Sequence, residues 1–119
     1  MIKFFKDRIR SFLPAFQGFQ FLILNEKNAI IHLIATIAAI FLGFALKLTK
    51  IEWFFILLAV TLVWFAELIN TAIEKLTDLL QPEKHPIAKI IKDLAASAVL
   101  ITAIFSIILA IIIFIPKIF

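Results

Sequence analysis

Hydrophobic positions along this chain follow two patterns. Over residues 1–25 they recur in alternating steps of three and four, at Ile2, Phe5, Ile9, Phe12, Phe16, Phe19 and Ile23. That spacing draws a single apolar stripe along a helix, with Lys3, Lys6, Arg8, Arg10, Gln17 and Gln20 off the stripe. A basic, amphipathic, phenylalanine-rich helix of this kind lies in the membrane interface, apolar face inward. A cleaved signal peptide is the competing reading, but Arg8, Arg10 and Gln17 interrupt the apolar run, so it lacks the clean hydrophobic stretch such a leader needs. Pro14 has no N–H to donate, which predicts a kink or the start of a second helix within the segment.

Further along, the apolar residues become nearly continuous. Three stretches, at about 29–46, 51–73 and 94–115, approach or exceed the roughly 20 mostly apolar residues that a helix needs to cross hydrocarbon. The third carries no charge; the first is the shortest and contains His32 and Thr36. Helices are the expected form, because an open sheet would leave backbone groups unpaired in lipid. The predicted fold is therefore all-α: a single polytopic membrane domain over 1–119, with three transmembrane helices and an amino-terminal amphipathic surface helix. Composition reinforces this. Hydrophobic residues make up 64% of the chain and the mean hydropathy is +1.13, against about 45–50% apolar residues in an average soluble domain. A water-soluble fold this small lacks the interior to hide so much apolar surface.

Charge adds an orientation. Nine of the twelve Lys and Arg residues fall either before the first span (Lys3, Lys6, Arg8, Arg10, Lys27) or between the second and third (Lys75, Lys84, Lys89, Lys92). Lysine and arginine concentrate on the cytoplasmic side of membrane proteins. The expectation is an amino terminus and a 75–92 segment in the cytoplasm, with Lys47, Lys50 and Lys117 on the far side. The net charge of +4 then reflects topology and attraction to anionic lipid, and no nucleic-acid partner is expected. The chain contains no cysteine, which excludes disulfides, thiolate nucleophiles and cysteine-ligated metals.

The polar residues inside the apolar pattern carry the chemistry. Glu67 follows Trp64-Phe65-Ala66 deep in the second span, and Asn70, Glu74 and Asp78 follow at i+3, i+7 and i+11. At 100° per residue the four share a narrow helix face. An ordinary helix end accounts for Asp78 and Glu74, but it does not account for an acid at membrane depth, where ionisable residues are expensive and usually functional. Glu83, Lys84, His85, Lys89, Lys92 and Asp93 then crowd into eleven positions. Carboxylates suit Mg²⁺, and lysine and histidine suit phosphate oxygens. Ala95, Ala96, Ser97 and Ala98 are small enough for close helix packing. Glu26 fits a helix boundary as well as a site, and His32 fits a hydrogen-bonded packing histidine better than a ligand. With only Gly18 and Gly43, the chain has neither a Walker A loop nor a kinase glycine-rich loop. On the residues alone, a small oligomeric transporter with an intramembrane carboxylate relay competes with an enzyme.

The run Glu67-Leu68-Ile69-Asn70-Thr71-Ala72-Ile73-Glu74, with Asp78 four further on, resembles the signature of the small bacterial membrane lipid kinases, the diacylglycerol kinase and undecaprenol kinase family. The resemblance continues through Asn25-Glu26, His85-Pro86, Ala88-Lys89 and Lys92-Asp93-Leu94-Ala95-Ala96, and spans about Phe12 to Lys117. It implies a homotrimer of the bacterial inner membrane with sites at subunit boundaries, and transfer of the γ-phosphoryl group of ATP to a lipid alcohol. By this resemblance Glu67 is the general base and Asn70 orients it or the acceptor. Glu26 and Glu74 hold Mg²⁺, and Glu83, His85, Lys92 and Asp93 lie around the nucleotide. Ile51-Glu52-Trp53, His85-Pro86 and Ile115-Pro116-Lys117 look more like the undecaprenol branch than the diacylglycerol branch.

The orientation is directly testable in a chain with no cysteine. In intact cells, an impermeant thiol reagent is expected to label Lys47→Cys and spare Lys84→Cys; the reverse pattern inverts the topology.

Overall fold

The computed structural model describes Met1–Phe119 as five helices: α1 (Ile2–Arg10), α2 (Phe12–Asn25), α3 (Lys27–Ala45), α4 (Lys50–Leu80) and α5 (Pro86–Ile118). There is no strand, and α3, α4 and α5 are each long and apolar enough to cross a membrane. The expected all-α, multi-pass architecture with an additional amino-terminal helical segment is therefore present.

That amino-terminal segment divides at Ser11, whose hydroxyl bonds back to the Arg8 carbonyl. Such local side-chain bonds compete with the helical ladder. Pro14 is the third residue of α2, inside the first turn, where backbone N–H groups lack intrahelical partners anyway. It therefore sits at the start of a second helix. No residue of α1 is buried, so its apolar stripe has no protein partner within the chain. A single extended residue, Glu26 (φ −110°, ψ 122°), separates α2 from α3.

The α3–α4 turn is built from recognisable local chemistry. Lys47 adopts the left-handed conformation (φ 53°). The Leu48 N–H bonds to the Gly43 carbonyl at 3.1 Å and the Lys47 N–H to the Phe44 carbonyl at 3.3 Å. This is the Schellman arrangement that satisfies the last carbonyls of a helix. Thr49 then caps α4 through a reciprocal pair: its hydroxyl accepts from the Glu52 N–H at 3.3 Å and Glu52 Oε1 accepts from the Thr49 N–H at 2.9 Å. Lys117 reaches the same Glu52 oxygen at 3.0 Å and ties the end of α5 to the start of α4. Nearby, Gly43 lies against Trp53, whose ring would be only 2.5 Å from a Cβ placed there.

α4 and α5 form the most extensive helix pair, with Leu48, Ile56, Ile113 and Phe114 as a small core at the α3–α4 turn end. Of the small residues Ala95–Ala98 only Ala95 is buried; the other three are exposed. Buried residues number 15 of 119, so most apolar side chains point outward, where lipid is the natural solvent. Both long helices outrun their apolar stretches. At 1.5 Å per residue α4 is about 46 Å long, against about 30 Å of hydrocarbon. α5 opens with Pro86 behind an N-cap at His85, whose Nδ1 accepts from the Ile87 N–H at 3.1 Å. The polar residues around 74–80 and 86–93 thus belong to continuous helix rather than to a long loop.

A lysine in the left-handed region carries a steric penalty that glycine avoids. Lys47→Gly is expected to raise stability by about 1 kcal/mol, read as a higher melting temperature in detergent.

Candidate active site

Glu67 is one of the most enclosed side chains in the protein, with 2% of its surface accessible. It lies where α3 crosses α4, and its carboxylate Oε2 is 3.3 Å from Nε2 of His32. An ionised carboxylate only accepts hydrogen bonds, so Nε2 is the protonated ring nitrogen when Glu67 is charged. The surroundings hold His32 in turn. Thr36, one turn further along α3, donates its hydroxyl to the His32 carbonyl at 2.7 Å. Trp64 of α4 donates Nε1–H to the Thr36 hydroxyl at 3.0 Å and presents its ring edge-on to His32, with centroids 6.1 Å apart. Phe19 of α2 packs on the other side of Trp64 at 5.0 Å. A set of contacts therefore links the amino-terminal helix to the residues around the intramembrane acid. His32 is hydrogen-bonded, as its sequence position leads one to expect, but its partner is the acid itself.

The next rung of the ladder differs from expectation. Asn70 donates Nδ2–H to Glu74 Oε1 at 3.2 Å and makes no bond to Glu67. Its Oδ1 is buried without a partner, and so is the Thr71 hydroxyl one residue on. Unpaired buried polar atoms are uncommon and costly. Asn70 separates two spaces. On one side Asn28, His32, Asn70 and Glu74 border a cavity of about 270 Å³ between α3, α4 and α5. On the other, Asn70 is a polar point in a cleft of about 590 Å³ between α4 and α5, otherwise lined by residues such as Phe65, Ile69, Ile91 and Leu94. Glu26, at the α2–α3 joint, is drawn to α4 by Lys75, 3.8 Å away. No group of three potential metal ligands forms within the chain. Two carboxylates without a third protein donor suit Mg²⁺, which commonly takes one or two carboxylates and completes its shell with water and substrate phosphate.

A second group lies at the α4–α5 connection. Glu83, His85, Lys92 and Asp93 share a cavity of about 600 Å³ with Asp78 and Lys89. Lys92 forms an ion pair with Asp78 across the two helices, and Lys89 pairs with Asp93 at 2.6 Å along α5. The residues singled out in the sequence thus fall into two clusters. Glu26, Glu67, Asn70 and Glu74 occupy one, and Glu83, His85, Lys92 and Asp93 the other. α4 joins them: Asp78 stands eleven residues beyond Glu67, about 16 Å along the helix. Sequence reasoning missed Thr36 and Trp64. The available signal was the i, i+4 spacing of His32 and Thr36 opposite the i, i+3 spacing of Trp64 and Glu67.

An all-helical membrane protein with a carboxylate cluster at membrane depth and a mixed-charge cavity above it fits the class of membrane-embedded lipid kinases. The chain matches the family model for prokaryotic diacylglycerol kinase over residues 14–114 and belongs to that family. It is 40% identical to the undecaprenol kinase of Bacillus subtilis (strain 168) over 115 residues, which cover 97% of this chain and 90% of that protein. It is 37% identical to a diacylglycerol kinase of Synechocystis sp. over 99 residues, covering 82% of this chain and 57% of that one. A diacylglycerol kinase of Helicobacter pylori (strain J99) is 48% identical over 60 residues, about half of each chain.

Proposed function

We propose that this protein is a lipid kinase that transfers the γ-phosphoryl group of ATP to the hydroxyl of undecaprenol. Family membership supports the lipid kinase activity, and the near-complete alignment with an undecaprenol kinase favours that acceptor over diacylglycerol. The observation that carries the chemistry is the enclosed Glu67 carboxylate one helical turn from Asn70, which lines an apolar cleft between α4 and α5. A lipid alcohol held there keeps its tail in apolar surroundings and its hydroxyl beside Asn70.

In the proposed reaction the lipid oxygen attacks the γ-phosphorus while Glu67 takes the hydroxyl proton. The new O–P bond forms as the bond to the β,γ-bridging oxygen breaks, and ADP leaves with that electron pair. Phosphoryl transfer asks mainly for positioning and charge neutralisation. Glu26 and Glu74 are the proposed ligands of the Mg²⁺ that accompanies ATP, which supplies part of that neutralisation. Asn70 holds Glu74 through its amide nitrogen and borders the cleft proposed for the acceptor. Glu83, His85, Lys92 and Asp93 are proposed to surround the nucleotide in the polar cavity. The proposed working form is a homotrimer in the bacterial cytoplasmic membrane, amino terminus inside, with sites shared between neighbouring chains.

The test offers radiolabelled ATP to the purified protein with undecaprenol or with diacylglycerol. Faster labelling of undecaprenol is expected, and ATP turnover without labelled lipid defeats the kinase reading. A general base is worth about 10²–10⁴ in rate, so Glu67→Gln should lower turnover by roughly that factor while nucleotide affinity changes little. A folded Glu67→Gln protein working at the wild-type rate removes the base assignment.

Glu26→Gln and Glu74→Gln are each expected to raise the magnesium concentration needed for half-maximal activity. Wild-type behaviour of either variant across a magnesium titration removes that residue from the proposed ligand set.

A further inference from the structure

We propose that His32 is a positioning residue for the reaction, fixing the rotamer of Glu67 so that one carboxylate oxygen faces the acceptor hydroxyl. This rests on the reading of Glu67 as the base, and its test separates the two.

Glu67 sits on a flexible side chain in surroundings that are almost wholly apolar, and its two oxygens are treated differently. Oε2 is held by His32 at 3.3 Å. Oε1 has no hydrogen-bond partner among the chain's own groups. One oxygen is therefore held and the other left unbonded. A base needs that asymmetry, because the proton must travel to a lone pair whose direction is set before the reaction begins.

His32 is equipped to impose it. Its carbonyl receives the Thr36 hydroxyl, and its ring lies against Trp64. The Trp64 indole is itself fixed to Thr36 through Nε1. The imidazole thus lies against an indole that is itself tied to α3, beside the acid it reaches. His32 also borders the cavity shared with Asn28, Asn70 and the proposed ligand Glu74. A packing histidine would need only some hydrogen-bond acceptor, and the carbonyl groups of neighbouring helices would serve. Here the braced ring is directed at the one intramembrane acid.

The experiment compares His32→Leu, His32→Gln and His32→Asn with wild type, in both the native and the Glu67→Gln backgrounds, by steady-state lipid phosphorylation per folded protein. Leucine removes the donor, and kcat is expected to fall about 10- to 100-fold, the scale associated with a misplaced reacting group, with KM for ATP unchanged. Glutamine places an amide N–H near the position of Nε2 and should return kcat to within about threefold of wild type. Asparagine keeps polarity but is one methylene shorter; it should behave as leucine does, and it carries the test if the leucine protein does not fold. With Glu67→Gln already present, His32→Leu should have no further effect, because coupled residues are not additive. Wild-type kcat in the leucine or asparagine protein overturns the proposal. So does a glutamine protein as impaired as leucine, or an equal fold-loss in both backgrounds. Near-wild-type turnover by Glu67→Gln instead removes the base reading on which the proposal stands.

Discussion

A carboxylate placed within hydrocarbon has to be given a partner, and the arrangement of α2, α3 and α4 follows from that requirement. On insertion scales an acid at the centre of a membrane helix costs about 2.5–3.5 kcal/mol, and a hydrogen bond to a charged group returns about 1.5–3 kcal/mol. The two are comparable, so the His32–Glu67 contact decides whether this crossing is tolerable. It also demands that α3 approach α4 closely at a defined rotation. Ala29, fully buried near the start of α3, presents little bulk there. Small residues at such crossings are the usual means by which membrane helices approach one another. Leu22 of α2 is sealed as well, and Phe19 completes the enclosure against Trp64. The amphipathic helix is thus more than a surface float, since its carboxyl-terminal half forms part of the wall around the acid.

The opposite end of the protein obeys a different economy. At the α3–α4 turn the backbone is satisfied locally by the Schellman bonds and the Thr49–Glu52 pair, and Lys117 adds an ion pair between termini. That end is tightly tied and carries no candidate chemistry. At the α4–α5 connection the helices are joined by residues 81–85, and the polar groups there pair across a cavity instead of closing it. Rigidity at one end and an open polar mouth at the other are what a site that receives a soluble donor and a membrane-bound acceptor needs.

Much of this was legible in the sequence, for reasons that can be stated. Continuous apolar runs give spans because lipid offers the backbone no alternative partners. The i, i+3, i+7 and i+11 spacing put Glu67, Asn70, Glu74 and Asp78 on one face because α4 is an unbroken helix. Four features were not legible. Hydropathy sees only the part of α4 and α5 that lies in lipid, so it does not report how far each helix runs beyond its span. The break at Ser11 rather than at Pro14 depends on a hydroxyl–carbonyl bond that composition does not report. The partner of His32 depends on the rotation of α3 against α4, and a lone histidine in an apolar run carries no record of which neighbour it will face. Asn70 likewise bonds to Glu74 instead of Glu67, a choice made by side-chain rotamers on a shared face.

The uninterrupted course of α4 has one more consequence. Glu67 and Asp78 belong to a single helix with no proline, glycine or hinge between them, so the separation between the deep acid and the polar mouth is the rise of eleven residues and nothing else. Lipid composition changes bilayer thickness by several ångströms from one membrane to another, and a site assembled from separately floating pieces would drift with it. Here a thicker or thinner bilayer shifts or tilts the whole rod and leaves the gap alone. The separation between the deep acid and the polar mouth is thereby a molecular ruler written into the chain, insensitive to the membrane in which it is read.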